Sequence, residues 1–342
     1  MTERSLGQST GKSFKKLVND PFDAVDEALQ GFVAAHSGLL AFAEPRVVVR
    51  RVPGRDKVGL VIGGGSGHEP AFLGYVGSGI ADAAACGNIF ASPPANVVLS
   101  AIRAASFGRG VLMAYGNYAG DVMNFGLAAQ MAEPEGIEVR EIRITDDVAS
   151  APRSEVGKRR GIAGDIVVFK CAGAAAEQGM SLAEVERLAI KANAATHSMG
   201  VALSGCEVPG AGRPTFELPE GEIEIGMGVH GEPGIRRGPL QPADEIAQIL
   251  VDAIVSDMDG KQGGEVALMV NGLGSTAYLD QYILYRGARR ILEAAGFKVT
   301  RSYVGEFITS LEMAGASVTV TALDDELRSL LDAPAKAPAF SA

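Results

Sequence analysis

A chain of 342 residues that is 47% hydrophobic can fill more than one core, and its formal net charge of −10 excludes the basic face that nucleic-acid binding needs. Three cysteines, Cys86, Cys171 and Cys206, lie too far apart for a zinc site and read as buried thiols in a reducing compartment. No apolar run reaches the roughly 20 residues of a membrane helix, and the polar N-terminus lacks the apolar stretch of a signal peptide, so the chain reads as soluble and cytoplasmic.

The first motif, GQSTGKS (7–13), has three residues between its glycines where a phosphate-binding loop has four, and no buried strand precedes it. KVGLVIGGG (57–65) predicts a buried strand entering the loop GGGSGHEP (63–70). Counted from Gly63, the third glycine position of a dinucleotide fingerprint falls on His68, which weighs against a Rossmann site. NVVLSAIRAASFG (96–108) has helical spacing, GVLMAYG (110–116) reads as a buried strand, DVMNFGLAAQMAE (121–133) as a helix, and IEVREIRIT (137–145) as a half-exposed strand. GDIVVFKCAGAAAEQG (164–179) carries both signals, and its length decides for helix. SLAEVERLAIKANAATH (181–197) is a helix with Ser181 as N-cap and Glu184 three residues on.

A second series follows, with strands at 200–205, 222–229, 265–274, 297–305 and 317–323 and helices at 243–258 and 275–296. The expected fold is two α/β domains, 1–197 and 198–332, each a predominantly parallel or mixed sheet flanked by helices. An extended Pro/Ala-rich tail occupies 333–342.

Three stretches carry candidate chemistry. In GGGSGHEP, glycines let a small ligand approach the backbone, and His68 can either move a proton or merely close the turn. In YGNYAGDVMNFG (115–126), Asp121 follows a strand end, where it can be a helix N-cap or a catalytic carboxylate. In GMGVHGEPG (226–234), His230 sits among four glycines, as a turn residue or as a nucleophile with room around it. GSGHEP (65–70) and GVHGEP (228–233) echo each other, too briefly to establish a duplication.

These motifs, in this order, resemble the substrate-binding (K) subunit of dihydroxyacetone kinases. The similarity also takes in KKLVNDP (15–21), HSMGVALSGCEVPGAGRPTF (197–216), VNGLGST (270–276) and LLDAPAKAPAF (330–340). The resemblance implies that His230 bonds a ketone substrate through Nε2 as a hemiaminal. It further implies that His68 is the acid/base, and that Asp121 orients and deprotonates the reacting hydroxyl. Gly65, Ser66 and Gly67, with His68 and Asp121, would hold the substrate. It implies no metal or cofactor in this chain: ATP and Mg²⁺, or a bound ADP recharged by a phosphotransferase relay, would sit on a partner nucleotide-binding subunit.

A homodimer is also implied, to which the helix bearing Tyr278, Tyr282 and Tyr285 can contribute. Members that use dihydroxyacetone commonly have a lysine where this chain has Gly116. The expected substrate is therefore dihydroxyacetone or a longer ketose such as erythrulose, whose extra carbon fills the space. The alternative is a ligand-sensing coactivator that binds a ketone without passing phosphate.

Overall fold

The computed structural model describes residues 15–258 and 263–342, and the GQSTGKS segment at 7–13 lies outside them. Helix α1 (Ala24–Ala35) leads into β1 (Leu40–Glu44), β2 (Val47–Arg50), β3 (Gly59–Ser66) and β4 (Ala83–Ile89). Next come α2 (Ala95–Ala104), β5 (Val111–Gly116), α3 (Ala119–Ala132) and β6 (Val139–Ile144). These strands form a six-stranded sheet in the order β1-β2-β4-β3-β5-β6, parallel from β4 to β6 and antiparallel at the β1–β2 edge. Every residue of β3 and β5 is buried, which explains their unbroken apolar runs: parallel strands are covered on both faces.

The crevice of this sheet lies between β3 and β5. The chain leaves β3 toward β4 on one side and leaves β5 toward β6 on the other, so the two carboxyl ends open a gap between diverging connections. In open α/β sheets, ligands bind at such a switch point. GGGSGHEP and GNYAGD are the two loops at this gap.

Helix α4 (Asp165–Glu177) is buried from Asp165 to Ala176, which removes any amphipathic pattern and accounts for the mixed signal in its sequence. In α5 (Leu182–Ala195), the Glu184 N–H donates to Ser181 Oγ at 3.3 Å, a cap worth about 1 kcal/mol. The second sheet is built from β7 (Thr196–Ala202), β8 (Glu222–Ile225) and β9 (Arg236–Pro239), followed by α6 (Ala243–Asp257). It is completed by β10 (Gly264–Gly272), α7 (Tyr278–Ala294), β11 (Phe297–Gly305) and β12 (Gly315–Leu323). Its order is β11-β10-β12-β7-β8-β9, with only β10 and β11 parallel. Two mixed sheets flanked by helices are therefore present, as expected.

After β12 the chain returns to the first sheet. In α8 (Asp325–Asp332), Leu327, Leu330 and Leu331 join the core that contains Leu60 and Ile62 of β3, and Phe340 follows. Lys170 of α4 is fully buried beneath α8 and donates through Nζ to the Leu330 carbonyl at 2.5 Å. The tail forms a small hairpin, β13 (Lys336–Ala337) with β14 (Phe340–Ser341), bridged to Ser78. All three cysteines are free and buried, and burial pushes the Cys86 and Cys171 thiols up to about 12. Among the described residues, no helix is long and apolar enough to cross a membrane.

One strand is shorter than its sequence predicts. The expected strand 222–229 stops at Ile225, because Gly226 takes φ +78° and turns the chain out of the ladder. Residues 227–234 thereby leave the sheet and carry His230 to the site.

Candidate active site

His68 follows directly from β3 and a left-handed Gly67 (φ +93°), and it is 3% exposed. Its Nδ1 lies 2.6 Å from the Thr309 carbonyl, in the loop after β11. A carbonyl can only accept, so Nδ1 carries the hydrogen and Nε2 presents a lone pair. Nε2 lies 2.9 Å from His230 Nε2.

His230 reaches this point from the other sheet. Its Nδ1 is 2.9 Å from Glu232 Oε1, and its backbone N–H donates to Glu232 Oε2 at 3.0 Å. Burial pushes the Glu232 carboxyl up, but the hydrogen bond and charge of His230, with Arg160 behind, hold it down to about 2. An ionised Glu232 only accepts, so His230 also carries its hydrogen on Nδ1. Two Nε2 lone pairs then face each other at hydrogen-bond distance, an arrangement that one shared proton would satisfy. Burial, then the nearby charge of His230, holds His68 down to about 3, so its ring is neutral at physiological pH. The dyad thus has fixed tautomers and a countercharge in Glu232.

The two echoed sequences perform the same local task. Glu69 accepts the Gly67 N–H at 2.9 Å, as Glu232 accepts that of His230, each across two residues. Phe90 and Tyr118 wall the imidazoles, with ring centroids 5.4 and 4.8 Å from His230. Tyr118 is held by its hydroxyl, which donates to the Gly161 carbonyl at 3.0 Å.

Asp121 lies in the first turn of α3 and is not its N-cap, which is Tyr118. Its Oδ1 is buried without a hydrogen-bond partner, and burial pushes its carboxyl up to about 6 against a hydrogen bond from Ser92. Asp121, His68 and His230 line one small pocket of about 30 Å³ with Gly63, Gly64, Gly65, Gly116 and Asp165. That is room for about one or two water molecules, well below the usual small-molecule range, so a ketose enters only as the walls move apart.

The structure thus brings His68, Asp121, His230, Gly65 and Gly116 together. Ser66 and Gly67 are engaged elsewhere: Ser66 Oγ donates to the Gly87 carbonyl at 2.8 Å, and the Gly67 N–H is taken by Glu69. Among the described residues, no group of three His, Cys, Asp or Glu side chains can hold a metal.

Sequence reasoning did not single out Glu232, Thr309, Phe90, Tyr118 or Asp165. Glu232 was within reach, two residues beyond His230 in a quoted motif. Thr309 meets His68 across 241 positions, and only the tertiary fold brings them together.

The chain is similar to known proteins over most of its length. The Dak1 domain model matches residues 30–339. A "PTS-dependent dihydroxyacetone kinase 2, dihydroxyacetone-binding subunit DhaK" of Listeria innocua is 47% identical over 329 residues, covering 95% of this chain and 99% of that one. A "D-erythrulose kinase" of Mycolicibacterium smegmatis is 48% identical over 325 residues, covering 95% of this chain but only 56% of that protein. Among solved structures, a "dihydroxyacetone kinase operon co-activator Dha-DhaQ" superposes with a TM-score of 0.87 at 34% identity, covering 92% of this chain and 98% of that one.

Proposed function

Because the chain belongs to the Dak1 family, we propose that it is the ketose-binding subunit of a sugar kinase and holds a short ketose on His230 as a hemiaminal. The observation that carries this reading is the His68–His230 contact at 2.9 Å with both Nδ1 atoms committed to acceptors. A ketone entering between the rings meets a lone pair and a proton together. His230 Nε2 forms a bond to the carbonyl carbon, the C=O π pair moves to oxygen, and the shared proton joins it, leaving a hydroxyl. Charge is conserved: the dyad's positive charge becomes that of the substituted imidazolium beside Glu232. A polyol such as glycerol has no carbonyl and cannot form this bond.

Asp121 then accepts the proton of the substrate hydroxyl that takes phosphate. The subunit's contribution is to fix that oxygen for transfer. ATP and Mg²⁺, or a recharged ADP, belong on a nucleotide-binding partner in this reading, and a second copy of this chain completes a homodimer. On α7, Tyr278, Leu279, Tyr282 and Ile283 are exposed, an apolar face available to that contact. The substrate is dihydroxyacetone or a longer ketose such as erythrulose, with Gly116 standing where a lysine would otherwise reach the sugar.

Reconstitution with a nucleotide-binding subunit and either ATP or a phosphotransferase relay tests the reading, with sugar phosphate as the readout. A preference for tetruloses is expected, and equal or faster turnover of dihydroxyacetone would sink the longer-sugar part. The solved coactivator at TM-score 0.87 favours a second reading, a sensor that binds the ketone and passes no phosphate. Adduct formation without sugar phosphate under both donors selects that sensor.

The pH dependence follows from Asp121. Its carboxyl is held near 6 and must be ionised to accept a proton, so kcat of the reconstituted enzyme should rise with pH through about 6 and then level. A kcat profile flat through that interval contradicts Asp121 as the base.

A further inference from the structure

The pocket contains a second carboxyl that the mechanism above does not use. Asp165 opens α4, is 2% exposed and lines the cavity, with a buried Oδ1 that has no hydrogen-bond partner. A buried polar atom left unpaired destabilises a fold, so its retention calls for a ligand or a strain-storing role. Burial pushes the Asp165 carboxyl well above the usual carboxylate range, and Asp146 and Asp121 add to it.

Two glycines pack directly against this carboxyl. A Cβ at Gly116 would stand 3.4 Å from Asp165 Oδ2 and 3.2 Å from the Tyr118 ring. A Cβ at Gly161 would stand 2.6 Å from Asp165 Oδ1 and 2.6 Å from the Gly116 Cα. Neither glycine has a positive φ, so what they provide at these positions is close approach to Asp165. A larger residue at 116 would press on the Tyr118 ring and the Asp165 carboxyl.

We propose that Asp165 is a substrate-contacting residue that binds a hydroxyl on the carbon chain beyond the ketone, and that with no side chain at Gly116 to cover it, it sets the preference for tetruloses over dihydroxyacetone. The inference rests on the ketose reading of the same pocket and adds the residue that reads the longer sugar. A neutral carboxyl both donates and accepts, which matches a hydroxyl that does the same. It draws no cation, in keeping with an uncharged sugar. A tetrulose has one CH(OH) more than dihydroxyacetone, and that group supplies the partner Asp165 Oδ1 lacks. A site built to hydrogen-bond a substrate hydroxyl discriminates strongly against the analogue without it.

Isothermal titration of the full chain with D-erythrulose, L-erythrulose and dihydroxyacetone tests this, beside intact-mass measurement of covalent addition. Asp165→Ala should weaken the preferred tetrulose by about 10-fold or more and dihydroxyacetone by less than about 3-fold. Asp165→Asn, whose amide also donates and accepts, should keep tetrulose binding within about 3-fold, and it serves as the folded control. Equal weakening of both ketose classes, or no change in either, overturns the assignment. Binding heat without covalent mass gain defeats the hemiaminal alone, and the tetrulose-to-dihydroxyacetone ratio still decides Asp165. A wild-type protein that binds no ketose overturns both.

Discussion

His230→Ala should abolish every ketose adduct, while the wild-type protein gains the full mass of dihydroxyacetone or erythrulose without loss of water. The bond needs a nitrogen lone pair at the ketone carbon. His68 Nε2 does not substitute, because the ring is buried and the Thr309 carbonyl fixes its orientation for proton transfer. The substitution should leave the fold intact: the ring is 25% exposed, and Glu232 still accepts the backbone N–H at residue 230. His68→Ala should behave differently, slowing addition by about 10²- to 10⁴-fold while leaving a residual adduct, since it removes a proton carrier and not the nucleophile. An undiminished mass gain in His230→Ala would place the bond elsewhere and remove the first step of the mechanism.

The second large effect lies behind the site. Asn271 of β10 is 1% exposed and holds the loop that carries Thr309. Its Oδ1 accepts the Phe307 and Ile308 N–H groups at 2.8 and 2.9 Å, and its Nδ2 donates to the Ile308 carbonyl at 2.9 Å. Thr309 in turn holds His68, accepting Nδ1 through its carbonyl and donating its own N–H to the His68 carbonyl at 3.1 Å. Asn271→Ala leaves three backbone groups unpaired, two of them on buried Ile308, at about 1–3 kcal/mol for each buried one, so a destabilisation of roughly 2 kcal/mol or more is expected. That is a large share of the roughly 5–15 kcal/mol typical of a domain. Urea unfolding should show a clearly lowered midpoint, and ketose affinity should fall with it because His68 loses its backing. A midpoint within experimental error of wild type would mean that the loop is held by other contacts.

Much of this was legible in the sequence, because several signals agreed. The glycine-bounded apolar runs of β3 and β5 announce parallel strands buried on both faces, and the loops after them hold His68 and Asp121 at the switch point. β4 escaped notice because AAACGNI has no β-branched alternation; its burial between β2 and β3 makes it a strand. The short β9, RRGP, has no strand signal of its own and exists by pairing with β8. The strand at 222–229 was read too long because a glycine's φ is not written in its neighbours. Asp165 was passed over for a related reason: on a buried helix its carboxyl looks like an N-terminal acidic residue until the glycines facing it are known.

The most direct test of the account uses protein labelled with ¹⁵N in histidine and ketose labelled with ¹³C at the carbonyl. The account predicts a new tetrahedral carbon resonance with a one-bond ¹³C–¹⁵N coupling to a single imidazole nitrogen, absent in His230→Ala. A bound ketose whose labelled carbon shows no coupling to nitrogen, whether as free carbonyl or as hydrate, would contradict the covalent bond to His230.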